Sequence, residues 1–152
     1  MALKITVSRP EVWVSSAVLH CEGALDHGNY RALVELALDE IDKGAADLTV
    51  DLSEVTSINL AGVVGVYLIG LLLEEDPLFS ASFKLERDWR AIDGWDVLHQ
   101  YCAAVNQEKV FSHIQLLVPN QQLMDQITSI GLNRLMQVLP KFGGLDEMAK
   151  FL

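Results

Sequence analysis

Asp51–Gly62 reads DLSEVTSINLAG, and the fold turns on how this stretch is parsed. A short apolar strand, Leu48-Thr49-Val50, runs into Asp51-Leu52. A polar turn follows, then a second apolar step from Val55 to Ile58. The chain next enters a long apolar helix opened by a small residue and a glycine, Ala61-Gly62. A strand–loop–helix junction of this kind presents unpaired N–H groups and the positive end of a helix dipole. Many α/β proteins hold a phosphate or a phosphorylated side chain at such a place. Here the junction carries Asn59, Leu60 and Ala61, so it has the shape of a reactive turn without a reactive side chain.

Outward from that stretch, helix and strand periods alternate. Leu3, Ile5 and Val7 share one face of a strand over Leu3–Ser8. Arg9-Pro10-Glu11 reads as a turn, and Val12–Cys21 as a second strand ending at Glu22-Gly23, the two forming a hairpin. Asp26 is placed to cap a helix from about His27 or Asn29. Its inner stripe is Tyr30, Leu33, Val34, Ala37, Leu38 and Ile41, with Arg31, Glu35, Asp39, Glu40 and Asp42 outside. Lys43-Gly44 stops it. Asp47–Leu52 reads as an interior strand.

Leu60–Glu74 is apolar on all sides, which requires cover on most of them. Phe79, Ala81, Phe83 and Leu85 alternate like a strand, and a broken helix is expected within about 86–107, with Gly94 a weak point. His113–Val118 is a strand. Asn120 caps a helix with the stripe Leu123, Met124, Ile127 and Ile130, ended by Gly131. Gln137–Leu139 is a last strand, and Leu145–Leu152 a terminal helix. The order predicts an α/β fold with a mixed sheet.

The chain has 152 residues, 51% of them hydrophobic, and a net charge of −10. It is long enough for one domain with a substantial core. The acidic balance argues against nucleic acid and anionic membranes, which require a basic footprint, and suits a partner with a basic patch. MALKITVSRP lacks the apolar segment of a signal peptide. Leu60–Leu73 has fourteen residues, against about 20 needed to span a bilayer. The expectation is a cytoplasmic protein without membrane insertion. Cys21 and Cys102 read as buried, reduced thiols.

Catalytic and metal motifs are missing. His20, His27, His99 and His113 show no metal-ligand spacing, and there is no G-x-S-x-G, P-loop or G-x-G-x-x-G. Asp26 beside His27 is an acid/base pair only on paper, because sequence neighbours at a helix start seldom face one point. No nucleophile–base set is visible, so no cofactor, metal or catalytic residue is expected. Gly62, Gly65 and Gly70 are too widely spaced to cradle a phosphate and instead permit close helix–sheet approach. Thr56 and Ser57, the hydroxyls nearest Ala61, suit turn-stabilising bonds or a substitute phosphosite.

Three runs in order, Glu22-Gly23-Ala24-Leu25-Asp26, Asp51–Ile58 and Gly131-Leu132-Asn133-Arg134-Leu135, resemble the STAS domain of bacterial anti-sigma factor antagonists. The resemblance covers about 3–79 and 113–152. It implies the SpoIIAA-like fold, a mixed four- to five-stranded sheet with about four helices packed mainly on one face. Residues 1–152 would then form one such domain, with an insertion at about 77–111 carrying Phe79, Phe83, Trp89, Trp95 and Tyr101. In the family an aspartate, a serine and a phosphorylatable serine or threonine precede the glycine. This chain has Asn59, Leu60 and Ala61 before Gly62, and Ala61 accepts no phosphate.

The resemblance therefore implies a regulatory module docking an anti-sigma factor or kinase-like regulator without the usual serine switch. The partner surface would comprise Asp26, His27 and Asn29 with Thr56, Ser57, Asn59, Leu60, Ala61 and Gly62. The alternatives are a homo-oligomeric scaffold or accessory subunit of a stress-signalling or transport complex, dimerising through 77–111, and a small-ligand-binding STAS domain.

Overall fold

The computed structural model describes residues 3–9, 16–74, 83, 87–107 and 110–140. Strand β1 (Lys4–Ser8) pairs antiparallel with β2 (Ser16–Leu25), with Ile5 opposite Cys21 and Val7 opposite Leu19. Helix α1 (Tyr30–Asp42) leads to β3 (Asp47–Ile58), which lies parallel to β2. Helix α2 (Leu60–Leu73) follows, then a 3-10 turn at Trp89–Ala91 and helix α3 (Gly94–Gln107). Strand β4 (Ile114–Leu117), helix α4 (Gln121–Ser129), a second 3-10 turn (Leu132–Arg134) and β5 (Gln137–Leu139) complete the order. The five strands stand in the sheet in chain order, β1-β2-β3-β4-β5, all parallel except β1. This is the mixed α/β sheet with helices on one main face that the sequence predicts.

The polar turn expected after Leu52 is absent, and β3 is one continuous strand of twelve residues. His20 faces Asp51 while Glu22 faces Glu54, and Gly23 faces Val55 while Ala24 faces Ser57. At each step β3 carries one residue more than β2. Two bulges thus absorb the polar residues without ending the pairing. For the same reason β2 does not stop at Glu22-Gly23 but runs to Leu25, with Gly23 at φ +111°, a conformation glycine adopts without cost.

The core lies between sheet and helices. Leu19, Leu25, Leu48, Val50 and Leu52 of the strands meet Leu33, Val34 and Ala37 of α1 and Val63, Val66 and Ile69 of α2, all buried. Helix α2 is covered on its remaining sides by residues that come later in the chain. The Tyr67 ring meets Tyr101 edge-on at 5.5 Å and Phe111 at 5.7 Å. Phe83 is fully buried, edge-on to Trp89 at 4.9 Å.

Several local expectations are corrected. Glu40, expected outside, is 3% exposed and pairs with the Arg9 and Lys43 side chains, which bring their charges to it. Cys21 is buried, but Cys102 is exposed, because α3 turns Tyr101 and Ala104 inward instead. The alternating run 79–85 falls outside the described residues except at Phe83. That residue is helical, its carbonyl accepting from Arg87 N–H at 2.9 Å. The expected broken helix is a 3-10 turn and a separate α3, the break preceding Gly94. The start of the second strand at Val12 and the terminal helix at Leu145 also lie outside the described residues.

Candidate functional site

Parallel strands β2 and β3 end side by side, Leu25 opposite Ile58. The chain segments that leave them are therefore neighbours. Asn59 N–H donates to the Leu25 carbonyl at 3.2 Å. Asn59 is the N-cap of α2, its side-chain oxygen accepting from Gly62 N–H at 3.1 Å. A methyl at Gly62 would lie 2.7 Å from the Leu25 carbonyl oxygen, so only glycine allows this approach of helix to strand. Leu60, 49% exposed, projects from the first turn, and Ala61 is half-buried beside it.

Across from the cap, Asp26–Asn29 folds back on itself. Asp26 does not cap α1, because the N-cap is Asn29. The Asp26 carboxylate instead accepts from Gly28 N–H at 2.9 Å, and its carbonyl accepts from Asn29 and Tyr30 N–H. The Asn29 amide is also spoken for. Its oxygen accepts from Asp26 N–H at 2.9 Å, and its nitrogen donates to the Ala24 carbonyl at 2.7 Å. That closed set of bonds holds the loop's shape and leaves His27 exposed.

Between the two segments lies a groove of about 270 Å³ bounded by His27, Tyr30, Leu60, Ala61, Val64, Trp95 and Leu98. Asp26, His27, Asn29, Asn59, Leu60, Ala61 and Gly62 are thus brought to one end of the sheet. Thr56 and Ser57 are not in a turn. They are exposed positions on β3 at its second bulge, Ser57 opposite Ala24. Sequence reasoning missed the part of Trp95, which is 73% exposed on α3 and forms a wall of the groove. An aromatic at a helix start carries no mark that separates core from surface.

A second set of groups lies on β1, β2 and β3, away from this end. Ser8 Oγ lies 2.8 Å from His20 Nε2, and His20 Nδ1 lies 2.7 Å from Asp51 Oδ2. Asp51 is 5% exposed, and its other oxygen accepts from the Ser53 N–H at 2.9 Å and from the Ser53 hydroxyl. Three residues remote in sequence thus form a hydrogen-bonded set that no motif revealed. The signal was the alternation itself, which puts Ser8 and His20 on the face opposite the apolar one, with a buried aspartate between apolar strand residues.

The Cys21 thiol is pushed up to about 12, first by burial and then by the Asp51 charge. Among the described residues no cluster of His, Cys, Asp and Glu could hold a metal ion, and no helix is long and apolar enough to cross a membrane.

No known family's sequence profile matches the chain, and no curated protein matches it. Solved structures do. An anti-sigma factor antagonist from Mycobacterium paratuberculosis superposes with a TM-score of 0.59 at 12% identity, covering 98% of this chain and 95% of that one. A proposed anti-sigma factor antagonist from Thermotoga maritima gives 0.59 at 13% identity, covering 92% of each chain. The anti-sigma factor antagonist SpoIIAA in its unphosphorylated form gives 0.51 at 16%, covering 99% of each. At these identities the likeness is one of fold.

Proposed function

We propose, starting from the fold shared with anti-sigma factor antagonists, that this chain is a regulatory module acting in the cytoplasm. Its docking face is the end of the sheet formed by Asp26–Asn29 and Asn59–Gly62, and its partner is a regulator of the anti-sigma factor or kinase class. The observation that carries this reading is the bond from Asn59 N–H to the Leu25 carbonyl, which locks the two segments side by side. Leu60 stands exposed where they meet. An exposed leucine on a rigid, capped helix start suits the buried centre of a protein contact. The net charge of −10 favours a basic partner surface. Ala61 has no hydroxyl, so docking proceeds without a phosphoryl switch there. We assign no catalytic role to the residues of this face.

The test is calorimetric titration of the chain against the anti-sigma-type kinases encoded in the same genome. One is expected to bind, and Leu60→Asp and Ala61→Asp each to weaken it at least about tenfold, about 1.4 kcal/mol. No binding, or equal binding by both variants, overturns the reading. Phosphoryl transfer from the bound kinase to Thr56 or Ser57 would overturn the absence of a switch.

The exposure of Trp95 favours a second reading, association of two copies through the 77–111 segment. Sedimentation showing a monomer at all concentrations would remove it.

A further inference from the structure

We propose that Ser8, His20 and Asp51 form an acyl-accepting site, with Ser8 as nucleophile toward small, activated carboxylic esters. The site stands apart from the docking face and shares no residue with it. Each ring nitrogen of His20 faces one of the other two residues, and the neutral ring with its proton on Nδ1 is the form that the proposed site requires. In that form the buried Asp51 carboxylate accepts from Nδ1–H at 2.7 Å, which leaves Nε2 as the acceptor for the Ser8 hydroxyl at 2.8 Å. This is the order of contacts a serine nucleophile requires: hydroxyl, base, orienting carboxylate. Asp51 is fixed in turn by Ser53 and is a positioning residue.

Access runs from solvent to the reacting atom. Ser8 is exposed, and the side chains of His20 and Asp51 are 36% and 7% exposed. Among the described strands β1 stands at the edge of the sheet, so Ser8 lies on its outermost strand. The substrate class comes from charge. The chain is strongly acidic and Asp51 stands behind His20, so a neutral acyl donor is favoured over an anionic phosphoryl donor.

In the forward step the Ser8 hydroxyl proton passes to His20 Nε2 while Oγ bonds to the acyl carbon. The carbon–oxygen bond to the leaving group then breaks. An alcohol leaving group takes the proton from His20, whereas a stable phenolate departs without it and the proton goes to solvent. Water reverses the sequence. Its proton goes to Nε2, its oxygen bonds to the acyl carbon, and Ser8 Oγ leaves with that proton, releasing the carboxylic acid.

The test uses the full chain with p-nitrophenyl acetate, and with a fluorophosphonate probe whose adduct does not turn over. In the probe the phosphorus–fluorine bond breaks, fluoride leaves, and the serine proton goes to His20. Peptide mapping is expected to place one acetyl group or one phosphonyl group on Ser8. Ser8→Ala should abolish that label, and His20→Gln should slow acylation about 100-fold. Ser8→Cys, checked for an unchanged circular dichroism spectrum, should still accept the acetyl group. Ester hydrolysis by exposed histidines elsewhere releases p-nitrophenolate but leaves Ser8 unlabelled. An unlabelled Ser8 in the folded chain, or His20→Gln labelling as fast as the parent, overturns the proposal. Should His20→Gln fail to fold, labelling of Ser8 against the Ser8→Ala background decides alone.

Discussion

Asn59 does two jobs with one side chain and one backbone amide. It caps α2 through Gly62 N–H and ties the helix to the end of β2 through Leu25. Asn59→Ala is expected to cost about 1 kcal/mol through loss of the cap. Asn59→Asp keeps the acceptor and adds a negative charge at the helix N-terminus, so it should be neutral or stabilising by up to about 1 kcal/mol. Urea denaturation of the two variants checks both signs. The cysteines give a second contrast. The Cys21 thiol is buried and pushed up to about 12, while Cys102 is exposed. The reactive form is the thiolate. An aromatic disulfide reagent should therefore titrate one thiol in the native chain and two in denaturant. Two fast native thiols would contradict the burial of Cys21. The exposed Cys102 was not legible in the sequence, because Tyr101-Cys102-Ala103-Ala104 is apolar throughout and only the rotation of α3 decides which residues face inward.

At the scale of elements, α2 stays a buried helix because α3 and the start of the β4 segment cover it. The Tyr101 hydroxyl of α3 donates to the Ile130 carbonyl at 2.6 Å, joining α3 to the end of α4, while its ring lies edge-on to Tyr67. Burial, and secondarily the nearby Cys102, pushes this phenol up to about 12. Tyr101→Phe should cost about 1 kcal/mol, as one satisfied carbonyl loses its donor. Gly70→Ala should cost more, about 1–3 kcal/mol, since a methyl there would meet the Phe111 ring at 2.6 Å. Thermal melts of the two variants rank them, and Gly70→Ala melting with the parent would contradict the packing described. Helices with a regular stripe, α1 and α4, were legible from their spacing. The continuity of β3 was not. Its bulges are set by the register against β2, a partner about thirty residues away that local pattern does not see.

The whole molecule carries many more acids than bases. His113, exposed on the approach to β4, is held above its ordinary value of 6.5, chiefly by its hydrogen bond to Asp47 across the start of β3. Because the folded value is the higher one, this pair's stabilisation is complete below the ordinary value and disappears as pH rises through the raised one. His113→Gln should therefore lower the melting temperature slightly at about pH 5 and not at about pH 9. Equal loss at both would contradict the sign. The order of elements was readable from the sequence because strand and helix periods alternate. The adjacency of Asp26–Asn29 and Asn59–Gly62 at one end of the sheet was readable, but the groove between them was not, since Trp95 reaches it only through the tertiary placement of α3.

Strand order equals chain order, β1 through β5. Among the described strands, none has to wait for a later one to be inserted between it and its partner. A chain emerging from the ribosome can therefore close its hairpin, add β3 behind α1, and extend the sheet from one edge only. Pulse-labelling hydrogen exchange during refolding is expected to protect the amides of β2 and β3 before those of β5, whose three residues are the last to gain a neighbour.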